Sequence, residues 1–364
     1  MIHTDSAMLR PHEHHPTPNM TGLAQAARHR LAVGRRAAPG VGISLAVAMV
    51  ALFLANHYGA PVMLFALLLG MALGFLRERE RVAPGIRMST RTILRVGVAL
   101  LGARLTLTDL TALGLTPVLI TLATVAATLL VGFGVARALG MGGRFAVLSA
   151  GAVSICGASA ALAIASTLPR DERLHLDTVL VVVSVSTLST VALVIYPILA
   201  AQLGMDDAQA GVFLGATIHD VAQVVGAGFS VSETSGETAT IIKLLRVALL
   251  LPLVLGLALV LRERGNPHPP GQPHKRPAPP IPGFLLGFLA LVGINSLGWL
   301  PAPLMAVLAT TSTACLITAV AALGIQSQIG EMLKLGWRPI TVIVLQTLFM
   351  GAMGAMLVGY WLPA

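Results

Sequence analysis

Residues 215–228 read GATIHDVAQVVGAG, an apolar, glycine-rich run with His219 and Asp220 adjacent and Gln223 one helical turn on. A carboxylate at the centre of a bilayer costs about 2.5 to 3.5 kcal/mol, and such groups face a cavity or a partner. Asp220 is the one acidic residue of the chain that falls in the middle of an apolar span. On either side the pattern is equally apolar. The 364 residues are 55% hydrophobic and 11% charged, with a mean hydropathy of +0.84. Soluble domains carry about 25% charged residues. This deficit excludes a conventional soluble enzyme and predicts an all-α polytopic membrane protein.

Eleven stretches are long enough to cross as helices: 39–56, 60–76, 88–110, 117–139, 146–168, 178–203, 211–229, 238–261, 282–299, 303–326 and 339–361. The net charge of +9 is mostly a topology signal. With a cytoplasmic N-terminus, nineteen of the 24 Lys and Arg residues fall inside, three (Arg104, Arg170, Arg173) fall outside, and Lys243 and Arg246 lie within a span. Eleven crossings then leave the C-terminus outside. Residues 1–38, with His3, His12, His14 and His15, read as a disordered cytoplasmic tail of solvated histidines. Residues 262–281 read as a proline-rich cytoplasmic linker dividing a first membrane segment, 39–261, from a second, 282–361. Cys156 and Cys315 sit in apolar surroundings and form no disulfide framework.

Val98–Val118 aligns with Val320–Ile340 at a shift of 222, with seven of 21 positions identical, among them Gly102 with Gly324 and Pro117 with Pro339. Repeat copies 88–139 and 303–361 are separated by an odd number of crossings, so they run oppositely through the membrane. Inverted-topology repeats of this kind build many secondary transporters. A weaker likeness joins Ser154-Ile155-Cys156-Gly157 to Thr217-Ile218-His219-Asp220. Two crossings apart, these copies would be parallel unless one intervening span is re-entrant.

Lys243 and Arg246, at i and i+3 of the span after Asp220, share a helix face. Their positive surplus suits an anion, Arg offering a planar fork and Lys a point charge; the alternative is a self-neutralising charge network. His219 and Asp220 can carry a coupling proton. Ser154, Cys156, Gly157 and Ser159 cluster where a helix broken near Gly157 would free N–H groups for an anion; the alternative is a small-residue packing seam. Arg104 and Asp109, at the outer end of the third span, form a candidate gate or an interfacial pair.

GVALLGARLTLTDL, SICGASAALA, GATIHDVAQVVGAG, IIKLLRV, NSLGWLP and AALGIQSQIGEMLKLGWRP, in this order, resemble the YeiH (UPF0324-type) family of bacterial inner-membrane proteins, labelled sulfate exporters, over residues 40–361. The family looks like part of the larger group of cation/proton antiporters and bile-acid symporters. That resemblance implies an inverted-repeat core with broken, crossing helices, a scaffold used in a homodimer, and alternating-access transport of sulfate or a related oxyanion or sulfonate, coupled to protons or sodium. Carried over by motif, the substrate site comprises Ser154, Cys156, Gly157, Ser159, His219, Gln223, Lys243 and Arg246, and the coupling site His219 and Asp220. Two other readings stand beside it: a cation/proton antiporter using Asp220, and an anion channel or non-transporting anion sensor. No enzyme motif, cofactor, metal site or nucleic-acid partner is expected.

Overall fold

The computed structural model describes residues 20–59, 61–168, 172–263, 283–327 and 337–362, and among these every regular element is a helix. α1 (Met20–Tyr58) and α2 (Val62–Ala72), extended by a 3-10 turn at Gly74–Glu78, come first. A continuous rod follows: α3 (Ala83–Met88), a π-helical turn (Ser89–Ile93), α4 (Leu94–Leu101) and a 3-10 turn to Arg104. Next are α5 (Leu107–Ala112), α6 (Leu115–Ala138), α7 (Gly143–Ser154), α8 (Ala158–Thr167) and α9 (Glu172–Gln202). The chain continues with α10 (Asp207–Thr217), α11 (Val221–Val231), α12 (Glu233–Ala248), α13 (Leu250–Glu263), α14 (Gly283–Ser296), α15 (Ala302–Gln326) and α16 (Trp337–Trp361).

Six of these segments are long and apolar enough to cross a membrane: Arg36–Tyr58, Leu115–Ala138, Glu172–Gln202, Glu233–Leu259, Ala302–Gln326 and Trp337–Trp361. α2, the α3–α4 rod and α14 run alongside them between the same two faces. On the face nearer the N-terminal end of the bundle, Arg77 donates to Ser327 O at 3.0 Å, joining the ends of α2 and α15. On the opposite face Arg104, ending the rod, pairs with Glu233, starting α12. There too Asn295 donates to Leu105 O at 3.1 Å. Large apolar side chains point outward, as lipid contact requires, and Tyr58, Trp299, Trp337 and Tyr360 are exposed at helix ends, where interfacial aromatics belong.

Two expected spans, 146–168 and 211–229, do not cross. A Cβ on Gly151 would lie 2.3 Å from Ile164 Cδ1, yet thirteen residues of continuous helix cover about 20 Å. α8 therefore doubles back on α7. Likewise a Cβ on Gly211 and one on Gly228 would lie 2.9 and 3.1 Å from the same oxygen, Ser235 O, which brings α11 back along α10. Each is a helical hairpin with its tip inside the bundle. Because the 31-residue α9 separates them, the first enters from the N-terminal face and the second from the opposite face. This accounts for the likeness of 154–157 to 217–220: both are hairpin tips, one crossing apart rather than two.

Other expectations change as well. Residues 20–38, expected as disordered tail, continue α1, consistent with their Ala, Leu and Arg content. Residues 1–19 and most of the linker, with Lys275 and Arg276, lie outside the described residues. So do residues 328–336, which hold part of the second repeat copy. α15 runs antiparallel to the rod: Ile86 packs with Ala322 and Ile325, while further along Ser312 donates to Gly97 O at 2.7 Å.

The bundle is drawn tight where α2 crosses α15. A Cβ on Gly70 would lie 2.2 Å from Ala321 O and one on Gly324 2.3 Å from Leu67 O, so the backbones touch. Gly324→Ala is expected to force the pair apart and destabilise the protein by about 1 to 3 kcal/mol. Gly134→Ala, in open space, should leave the melting temperature in detergent unchanged. The hairpins give a second expectation, tested with cysteines at Arg173 and Asp206 and an aqueous maleimide. Arg173→Cys should label from the same face as a cysteine at Arg79, and Asp206→Cys from the other. Opposite labelling at 173 and 79 would mean that α7 and α8 cross.

Candidate functional site

A hairpin tip buried in a bundle creates a local shortage of partners, because the last carbonyls of its first helix and the first N–H groups of its second have no intrahelical bonds. In the first tip, Ile155, Cys156 and Gly157 link α7 to α8. Gly157 has φ 59° and ψ −123°, a conformation open to glycine and strained for other residues, and its N–H returns to Ala152 O at 2.8 Å. In the second tip, Ile218, His219 and Asp220 link α10 to α11, with Asp220 in the extended conformation at the N-cap of α11. The tips touch: a Cβ on Gly157 would lie 3.3 Å from His219 Cβ.

Lys243 and Arg246, both fully buried on α12, meet the carbonyl shortage. Lys243 Nζ donates to Ile155 O at 2.8 Å and to Ile218 O at 2.9 Å, one carbonyl from each tip. Arg246 also spans both. Nε and Nη2 donate to Ser154 O at 3.3 and 2.8 Å, Nη2 reaches Val153 O at 3.2 Å, and Nη1 donates to Gly215 O and Ile218 O at 3.1 and 3.0 Å. Met350 Sδ completes its surroundings at 3.3 Å. The two cations thus sit at the negative ends of α7 and α10, where a helix dipole favours positive charge. The i and i+3 spacing correctly placed them on one face, but the Arg246 guanidinium and two of the three Lys243 ammonium donors are engaged by the protein itself.

The other ends of the hairpins, the N-termini of α8 and α11, start at the same meeting point. His219, fully buried, contacts Thr347 of α16 through Nε2 at 2.9 Å. The Thr347 hydroxyl gives its proton to Ile343 O at 2.8 Å, so its oxygen accepts from His219 Nε2. His219 Nδ1 and Gln223 Oε1 are buried without hydrogen-bond partners among the described residues. The Asp220 backbone N–H donates to Ser189 Oγ on α9 at 3.1 Å, and Asp220 and Val221 are partly buried between the buried His219 and Ala222.

The structure therefore brings Ser154, Cys156, Gly157, His219, Asp220, Lys243 and Arg246 to one centre, with Gln223 in the first turn of α11. His219, Asp220 and Gln223 do not share a continuous helix, because the chain breaks at 218–220. Ser154 Oγ is turned back to Gly151 O at 3.3 Å, and Ser159 is exposed on α8. The Arg104–Asp109 gate is not formed. Asp109 closes a capping box on α5, accepting from Thr106 N at 2.8 Å, while Arg104 pairs with Glu233 and approaches Glu237 at 3.8 Å. That box was visible in the sequence as Thr106 followed three residues later by an acid.

Replacing Arg246 strands several buried carbonyls at once. Arg246→Ala is expected to cost about 3 to 5 kcal/mol, as for a buried charge partner removed. Arg246→Lys should recover only part of it, since an ammonium has three donors where the guanidinium uses its five on carbonyls of both tips. Thermal unfolding in detergent checks both, and an unchanged midpoint in Arg246→Ala would remove the clamp.

A family model described as conserved hypothetical protein 698 matches residues 39–343. A UPF0324 membrane protein of Chlorobaculum tepidum is 47% identical over 333 residues, 91% of each chain. The UPF0324 membrane protein TauZ of Paracoccus pantotrophus is 50% identical over 314 residues, 86% of this chain and 92% of its own. A Rhizobium meliloti relative is 48% identical over 311 residues, 85% of this chain and 89% of its own. No solved structure matches. With the matched segment spanning both hairpins, the rod, α2 and α15, the chain belongs to the UPF0324 membrane protein family.

Proposed function

We propose that the protein is a secondary transporter carrying a small anion, sulfate or a related oxyanion or sulfonate, across the bacterial inner membrane by alternating access. The observation that carries this reading is the meeting of two oppositely inserted hairpins at one centre. There the helix C-termini are held by Lys243 and Arg246, and the N-termini of α8 and α11 open beside them. Such paired elements, entering from opposite faces, are the inverted-repeat core from which carriers are built.

A charge count supports an anion. Helix ends carry about half a charge each, so two C-termini and two N-termini cancel, and Lys243 and Arg246 against Asp220 leave about one positive charge. With a proton on Asp220 the surplus rises to about two. A divalent anion accompanied by one proton matches that second state. The cation/proton reading has less support, because the carbonyls that would ligate a metal cation already hold resident ones. The same reading puts the N-terminus in the cytoplasm, supported by the fold-back at 155–157, which brings Arg173, in the first turn of α9, to the N-terminal face.

The test is flux in proteoliposomes. Labelled sulfate should enter saturably against excess internal sulfate, with alkalinisation or acidification accompanying net movement. Asp220→Asn should abolish the proton movement. Proton release driven by alkali cations, without sulfate flux, would establish the antiporter reading instead, and single-channel currents would establish a channel.

A further inference from the structure

Two groups of helices are each drawn together by glycine. In one, Gly40 and Gly85 bring α1 against α3, and Gly70 and Gly324 bring α2 against α15. Gly102 sets the end of the rod on α14, a Cβ there lying 2.4 Å from Phe288 O. In the other, Gly211, Gly215 and Gly228 set α10 and α11 on α12, where a Cβ would lie 2.9 Å from Ser235 O, 2.6 Å from Ala239 O and 3.1 Å from Ser235 O. Where the groups meet, side chains take over: a Cβ on Gly226 of α11 would lie 3.4 Å from Val320 Cγ2 of α15. Helices packed through side chains can shear by small sliding movements. α11 lines this seam from Val231 back to Asp220 at the hairpin tip, about 16 Å deeper.

Arg104 bridges the seam at its outer end. It ends the rod, yet its Nη1 pairs with Glu233 of α12 and lies 3.8 Å from Glu237 Oε1, while Nη2 reaches Thr313 Oγ1 of α15 at 3.4 Å. Glu233 is explained by its place in the first turn of α12, where a helix dipole favours negative charge. Glu237 is not, because like charges four residues apart on a helix repel. That repulsion is offset while the guanidinium stands beside both carboxylates and returns when it leaves. α12 also carries Lys243, about 9 Å beyond Glu237, which holds both tips. A movement that parts Arg104 from the carboxylates therefore moves the tips as well. Exposed ion pairs shift an equilibrium by no more than about fivefold, which suits a contact that has to break in every cycle.

We propose that Arg104, Glu233 and Glu237 form the gate of the opposite face. Paired, as here, they close the seam above the hairpin tips; parted, they let a ligand reach the tips from that side. The purpose of the gate rests on the alternating-access reading above, whereas its closure can be measured with no substrate present.

The experiment uses the full-length protein in proteoliposomes, with Val221→Cys, beside Asp220, as the reporter. A membrane-impermeant maleimide is applied from the opposite face, and the parent protein with Cys156 and Cys315 serves as the labelling control. Arg104→Gln is expected to speed labelling at position 221 about fivefold, and Glu237→Gln to speed it by less. Arg104→Glu, which gathers three carboxylates, should exceed both, and adding Glu237→Arg to it should bring the rate back toward that of the reporter alone. An unchanged rate in Arg104→Gln, or equal rates in Arg104→Glu with and without Glu237→Arg, overturns the gate. Should the Arg104 variants fail to fold, Glu237→Gln, which keeps the pair of Arg104 with Glu233, decides by the same rate. A parent protein with no sulfate flux overturns the transport reading instead, and the labelling still decides whether these charges close the seam.

Discussion

Everything in the centre of this protein depends on finding partners for backbone groups that stop short in a dry interior. A helix that ends halfway through a bundle leaves carbonyls with neither water nor a following turn to satisfy them. Two such ends occur side by side, at 153–155 and at 215–218. One lysine and one arginine, a single turn apart on α12, satisfy both. The two cations satisfy the hairpin carbonyls, and those carbonyls in turn offset the cost of burying the cations. The N-terminal ends of α8 and α11 meet at the same centre, with Asp220 at the N-cap of α11 and its carboxylate beside the first N–H groups of that helix.

The packing around that centre uses small residues for approach and polar residues for registry. Gly70 and Gly324 let α2 and α15 touch backbone to backbone, while Gln346 of α16 donates to Gly132 O at 2.8 Å and fixes α16 against α6. α16 then presents Thr347 to His219 and Met350 to Arg246. The tip geometry is thus set from three sides, by α9 at Ser189, by α12 and by α16.

Much of this was legible in the sequence. Hydropathy located the membrane segments, the cluster at 154–159 marked a break, and the spacing of Lys243 and Arg246 put them on one face. The fold-backs were not legible from length, because a run of 20 or so apolar residues reads the same as one crossing helix or as two half-length helices with a turn. The likeness of 154–157 to 217–220 was the available signal, since copies an even number of crossings apart conflict with their similarity unless one is re-entrant. The carbonyl partners of the two cations could not be read at all: backbone acceptors carry no residue identity.

Between α11 and α12 stands a single residue, Ser232, whose hydroxyl accepts from Ser235 N at 3.0 Å. Around that corner Gly228 and Gly236 bring the two helices into contact, with Phe229 packed over Gly236. A link so short and so closely packed has no slack for a hinge, so the second hairpin cannot swing as a flap on its own. It is mechanically welded to α12, and α12 grips the first hairpin through Lys243 and Arg246. Any displacement of one tip therefore carries the other with it, and the freedom left to the molecule is sliding of this whole block against the helices that surround it.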